Sequence, residues 1–258
     1  MPQGRLARWK FSDTTGAGPQ QRYPLTVDHA IFTSIIGYLV FMFSVVCHEA
    51  GHALAAMLGG DRTAYHNGQV TLNPIPHIQQ EPFGLGLLPV LSLIQNLRTG
   101  SLWIMGFASA PFDIGWAMTF PRRAAWMALA GPATNFLIAL VAGAAMKIGL
   151  LAGWFAVKGS YTQLVKGAGD GGFAEPIAIL LSAFFYLNFA LGCFNLIPIP
   201  PLDGFSILLF FVPTEQVHKI YQLRSQFGLL FPLGIFFLSG YLWDFIDPFY
   251  VFFARLVL

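Results

Sequence analysis

Residues 30 to 58, AIFTSIIGYLVFMFSVVCHEAGHALAAML, run for 29 positions with a single formal charge, Glu49. As a helix this run is about 43 Å long, against a hydrocarbon core of about 30 Å. Only lipid or a very large core can accept such an element. The rest of the chain decides between them: 55% of its residues are hydrophobic and 10% are charged. A soluble domain carries about 25% charged residues, so this chain is an integral, multi-pass membrane protein. A net charge of +2 gives no argument for a nucleic-acid partner; the lipid bilayer is the expected one. Cys47 and Cys193 lie in apolar runs and read as small packing residues.

Two further apolar runs read as spanning helices. One is 121–151, whose Ala and Gly residues allow close helix contact. The other is 175–200, which ends in NLIPIP. Between the first and second spans, 85–97 is too short to cross and contains Pro89, and 101–120 is broken by Pro111 and Asp113. These pieces predict a re-entrant hairpin. Non-helical backbone at membrane depth must be buried in protein or line a watery cavity. A short strand is expected at Gln69–Leu72, a polar Gly-rich loop at 158–172, a short helix after Pro201 and a polar linker at 214–226. The final apolar stretch holds one crossing and a second, partial one after Asp247-Pro248. The expected fold is therefore an all-α polytopic membrane protein. It has three core transmembrane helices, the re-entrant hairpin and one or more C-terminal transmembrane helices. A polar N-terminal tail covers 1–28 and one membrane domain covers 29–258.

The first run contains His48, Glu49 and His52 as HExxH. Histidines at i and i+4 share a helix face and can reach one ion. Zinc needs a third protein ligand and an open position for water, and the adjacent glutamate can act as general base. Ionisable groups are costly in lipid and mark function there. Candidate third ligands include His29, His66, His77, His218 and the acids. Counting crossings returns Asp203 to the membrane face near which the histidines lie. That favours Asp203 and leaves Asp61, Glu81, Glu215 and His77 open.

HEAGH at 48–52, AGPATN at 130–135 and NLIPIPPLDG at 195–204, in that order with apolar flanks, resemble the site-2 protease family of intramembrane zinc metalloproteases. The likeness is to the short bacterial type without a PDZ insert. It implies one Zn2+ per chain on His48, His52 and Asp203, with Glu49 as base and Asn135 assisting the oxyanion. Asn195 would help shape the site. It also implies regulated intramembrane proteolysis: hydrolysis of peptide bonds in or near transmembrane segments of single-span membrane protein substrates, pre-cleaved by another protease. The expected location is the bacterial cell membrane, with the active site near the cytoplasmic face. Where relatives read HIDP, this chain reads HIQQEP at 77–82. Two other classes compete, a metal transporter and a non-proteolytic metal-binding membrane protein. A transporter would place ligands along a midplane path, often in two repeats; no repeat is visible. Binding metal without proteolysis would not require Glu49.

Overall fold

The computed structural model describes residues 27–99, 104–169, 172–226 and 231–258, with backbone alone at 27–30, 224–226 and 231–243. The chain is mostly helical. Among the described residues three helices are long and apolar enough to cross a membrane. They are α1 (Val27–Gly59), α6 (Pro121–Leu151) and α7 (Ala174–Asn195). At 33, 31 and 22 residues they measure about 50, 46 and 33 Å. The chain is therefore an integral membrane protein. The tail expected at 1–28 lies, up to residue 26, outside the described residues.

These three helices pack on one another and form the centre of the molecule. Small residues set the approach. A Cβ on Gly51 of α1 would come within 2.5 Å of Thr134 Oγ1 and 3.1 Å of Ala130 O on α6. Without Cβ atoms the backbones meet closely, as lipid-embedded helices require in the absence of a hydrophobic driving force. Pro132 interrupts the hydrogen-bond ladder of α6 without ending it.

After α1 come two short helices, α2 (Thr63–His66) and α3 (Pro74–Gln80), then a π-helical turn at Pro82–Leu87 running into α4 (Leu88–Thr99). Of residues 69–72, expected as a strand, 70–72 are bends and 69 has no regular structure. His77 donates back to Thr71 O across this stretch and closes it as a loop. Residues 104–113 have no regular structure and lead to α5 (Ile114–Thr119). Asp61 ties this region together. Its Oδ1 accepts from Thr63 N and Oγ1 at 2.9 and 2.6 Å, and its Oδ2 from Asp113 N at 2.9 Å.

The loop expected at 158–172 contains part of a small antiparallel hairpin, β1 (Phe155–Val157) with β2 (Val165–Gly167). The all-α expectation is corrected to that extent. Glu175 fastens the hairpin to the start of α7, accepting from Gly167 N and from Gln163 Nε2. Gly149 leaves room for the Phe155 ring on α6. Short α8 (Asp203–Ile207) follows the proline-rich turn, as expected. The polar stretch after it is helical instead, α9 (Val217–Gln226), and α10 (Phe231–Val257) runs unbroken through Pro248. Of the one or more C-terminal helices expected, one continuous helix fills this stretch. Proline is tolerated in such helices because neighbours satisfy the freed backbone. Tyr250, buried in the cluster of Phe185, Phe189 and Met146, docks α10 onto α6 and α7 and donates to Tyr161 O at 2.5 Å.

Candidate metal centre

The centre forms where α1 crosses α6. His48 and His52 lie one turn apart on α1, so both imidazoles project to the same side. Residues Met127, Gly131 and Asn135 lie at i, i+4 and i+8 on the facing side of α6. His52 Nδ1 is 2.7 Å from Met127 O, and His48 Nδ1 is 2.5 Å from Asn135 Oδ1. The rising order on α1 meets the falling order on α6, so the helices are antiparallel. Gly131 fits between these contacts. A Cβ there would come within 2.6 Å of His48 Nε2 and closer still to His52 Nε2.

Asp203 arrives from α7 through the LIPIPPLDG turn. Leu202 N donates to Ile199 O at 2.9 Å, and Gly204 presses so closely on Leu196 and Ile197 that no Cβ would fit. Asp203 is the first residue of α8, and its carboxylate points at the histidines instead of capping the helix. Its Oδ2 lies 3.0 Å from His48 Nε2 and 3.2 Å from His52 Nε2, and the two Nε2 atoms are 3.0 Å apart.

Hydrogen bonding fixes what these three atoms are. Ser44 Oγ donates its one hydrogen to Val40 O at 2.6 Å, so it can only accept from Asn188 Nδ2, at 2.8 Å. Asn188 gives its other hydrogen to Phe184 O and presents Oδ1 to Asn135 Nδ2 at 2.8 Å. Asn135 Oδ1 is thereby an acceptor, and His48 must hold its hydrogen on Nδ1. Met127 O, a carbonyl, forces the same tautomer on His52. In the neutral protein both Nε2 atoms carry bare lone pairs and face a carboxylate oxygen. Three electron-rich atoms within 3.2 Å repel unless a cation or a proton lies among them.

This donor set fits zinc. Two imidazole nitrogens and one carboxylate oxygen leave the fourth position open, as in catalytic zinc sites, and Zn–N bonds of about 2.0–2.1 Å put tetrahedral ligand atoms about 3.3 Å apart. The observed triangle is slightly tighter. His48, Glu49 and His52 are buried and their ligand atoms lie within 4.8 Å of one another. Glu49 Oε2 has no hydrogen-bond partner, so it is free to receive a proton.

The other candidates are engaged elsewhere. His77 faces Thr71 O at 3.1 Å, and Asp61 holds the loop described above. Glu81 accepts from Ser109 Oγ at 2.5 Å. His66, Glu215 and His218 are exposed, and His29 lies outside the described side chains. Asn195 donates to Leu191 O at 3.0 Å on its own helix. Sequence reasoning missed Asn188 and Ser44. A lone amide in FFYLNFAL was the available signal, because a polar side chain in a spanning helix needs a partner.

The profile of Peptidase family M50 matches residues 36–239. Three relatives carry the name "Putative zinc metalloprotease". YwhC of Bacillus subtilis (strain 168) is 30% identical over 225 residues, covering 80% of this chain and 85% of its own. Rip2 of Mycobacterium tuberculosis (strain H37Rv) is 29% identical over 213 residues, covering 83% and 70%. Rip2 of Mycolicibacterium smegmatis is 27% identical over 185 residues, covering 72% and 59%. No solved structure matches the chain significantly. An apolar three-helix centre, a buried donor triangle beside a carboxylate, and a profile spanning most of the sequence agree: this chain belongs to Peptidase family M50, the site-2 protease family of intramembrane zinc metalloproteases.

Proposed function

We propose that the chain cleaves peptide bonds of single-span membrane proteins at one zinc ion held by His48, His52 and Asp203. The observation that carries this reading is the triangle of two bare imidazole nitrogens and a carboxylate oxygen, 3.0–3.2 Å on a side, beside the unpartnered Glu49 carboxylate. Zinc held by His48, His52 and Asp203 would supply Lewis-acid polarisation of the scissile carbonyl and a water whose pKa is lowered toward about 7. Glu49 takes the proton of the attacking water and returns it to the leaving amine. Asn135 fixes the ring and tautomer of His48. The resemblance assigns it to the oxyanion, but its Nδ2 is already given to Asn188, with Ser44 O a further 3.4 Å away. Holding a ligand's orientation is the role its contacts support.

A substrate helix hides its carbonyls in its own hydrogen bonds and must unwind before attack. The segment 104–113 offers a place for this. Met105 N and Phe107 N are turned inward, to Ser92 Oγ at 3.0 Å and Gly84 O at 3.1 Å. In extended backbone the alternate groups face the other way, and an unwound substrate strand can add to them. This segment with α4 is the re-entrant hairpin in our reading. A substrate already shortened by another protease would enter more easily. The bacterial relatives and the family resemblance support a cell-membrane location with the centre near the cytoplasmic face.

The test is to purify the wild type and Glu49→Gln, measure zinc, and follow cleavage of a model single-span substrate. Both proteins should carry about one zinc per chain, and only the wild type should cleave. A wild type that holds zinc and cuts nothing that the variant spares overturns the assignment.

A further inference from the structure

His77 is 1% exposed, on α3, and the metal triangle that the sequence left it a candidate for is completed by Asp203 without it. Its Nε2 lies 3.1 Å from Thr71 O. A carbonyl only accepts, so Nε2 carries the hydrogen and Nδ1 of the neutral ring is a bare lone pair. That Nδ1 is buried and has no hydrogen-bond partner. A buried polar atom left unpaired costs about 1–3 kcal/mol, so a fold that keeps one has a use for it or fills it.

The location indicates the use. Neighbouring Ile78 packs into the cluster of Phe41, Val45, Val46 and Leu85. Val45 and Glu49 are four residues apart on α1 and share a face. Helix α3 therefore docks on the side of α1 that carries Glu49, with the His77 ring in the neighbourhood of that carboxylate. Glu49 Oε2 is likewise buried and without a hydrogen-bond partner, as are both polar atoms of the Gln69 amide in the loop before α3. One molecule of water has two hydrogens to give and can serve two such acceptors.

We propose that His77 is a positioning residue for Glu49: its Nδ1 accepts one hydrogen of a water whose other hydrogen is donated to the Glu49 carboxylate. The bridge holds the carboxylate at the depth and angle needed for proton transfer, while the Nε2–Thr71 bond holds the ring. No bond is made or broken at His77. The arrangement separates a functional nitrogen from a structural one, and it rests on the protease reading above.

Two variants divide the nitrogens. Glutamine at 77 keeps a donor near the Nε2 position; asparagine keeps an acceptor near the Nδ1 position. In purified, zinc-loaded protein, His77→Gln should retain zinc and KM but lose about 10- to 100-fold in kcat, the range for removing a group that orients a catalytic one. His77→Asn should recover kcat to within about threefold of wild type while melting at a lower temperature, because it loses the Thr71 bond. The reverse order, equal kcat in the two variants, or loss of zinc or of folding by either one overturns the proposal. A wild type that cleaves no better than Glu49→Gln points instead to failure of the protease reading.

Discussion

Asn188 hydrogen-bonds to none of the proposed metal ligands, yet through Asn135 it sets the tautomer of one, His48. Replacing it with leucine, of similar volume, removes three hydrogen bonds: to Asn135 Nδ2 at 2.8 Å, Ser44 Oγ at 2.8 Å and Phe184 O at 2.9 Å. Interhelical hydrogen bonds in membranes average about 0.6 kcal/mol, with a maximum near 1.7. The two that cross to other helices, to Asn135 and Ser44, come to about 1 kcal/mol of stability. The second effect is more specific. Asn135 then has only Ser44 O, at 3.4 Å, to say which way its amide points. Once flipped, it offers N–H groups to His48 Nδ1, the ring hydrogen moves to Nε2, and the lone pair facing Asp203 is lost. Loss of such an orienting partner typically weakens metal binding about 10- to 100-fold, or about 1.4–2.7 kcal/mol. Chelator competition on purified Asn188→Leu measures this directly. Asn188→Asp is the companion: it keeps the acceptor for Asn135 but cannot donate to Ser44 Oγ, so it should lose stability with a smaller loss of zinc affinity. Unchanged zinc affinity in Asn188→Leu, alongside a large loss in Asn135→Leu, would refute the reasoning that the Ser44–Asn188–Asn135 chain sets the tautomer.

Gly131→Ala should abolish zinc retention, read by metal analysis, because its Cβ falls on the two ligating nitrogens. Gly84→Ala should leave zinc in place and slow cleavage, because its Cβ strikes Phe107 at 2.6 Å and displaces the segment offered to substrate. Burial raises the Asp61 carboxyl, but hydrogen bonds from Thr63 and Asp113 outweigh it and hold the group below its ordinary value. Its contribution to stability is therefore present above an unfolded pKa of about 3.9 and lost as pH falls through the lower folded value. Thermal melts of Asp61→Asn should show a lower midpoint at pH 7 and a smaller loss on acidification than wild type. Removing zinc with a chelator should stop cleavage, and adding zinc back should restore it in the wild type but not in Asp203→Ala, with loss of metal as the separate readout.

Much of this was legible in one dimension. Long uncharged runs gave the three spanning helices because lipid tolerates no unpaired backbone over that length. HExxH gave His48, Glu49 and His52 because helical periodicity puts positions 48 and 52 on one face. Asp203 needed the resemblance: crossing-counting alone left four rivals. The hairpin at 155–167 was missed because its polar, glycine-rich letters read as loop. Whether one or two helices fill the C-terminal stretch stayed open in the sequence, because the continuity of α10 through Pro248 goes with Tyr250 packing on two other helices, which no local pattern encodes.

The sequence by itself determined that this chain lives in a membrane and carries a hydrolytic zinc motif. Those properties follow from transfer free energy and helical periodicity, which act over a few turns. Tertiary structure decided the rest: that Asp203, not His77, completes the triangle; that Asn135 faces the back of His48; and that Asn188 and Ser44 hold that amide in one orientation. These depend on which atoms of distant helices come within hydrogen-bond reach, at separations of 155 and 87 residues for Asp203 and Asn135 from His48. Glycine at 131 and 204 permits that approach, and whether a glycine is there for closeness or for freedom is visible only when its neighbour is.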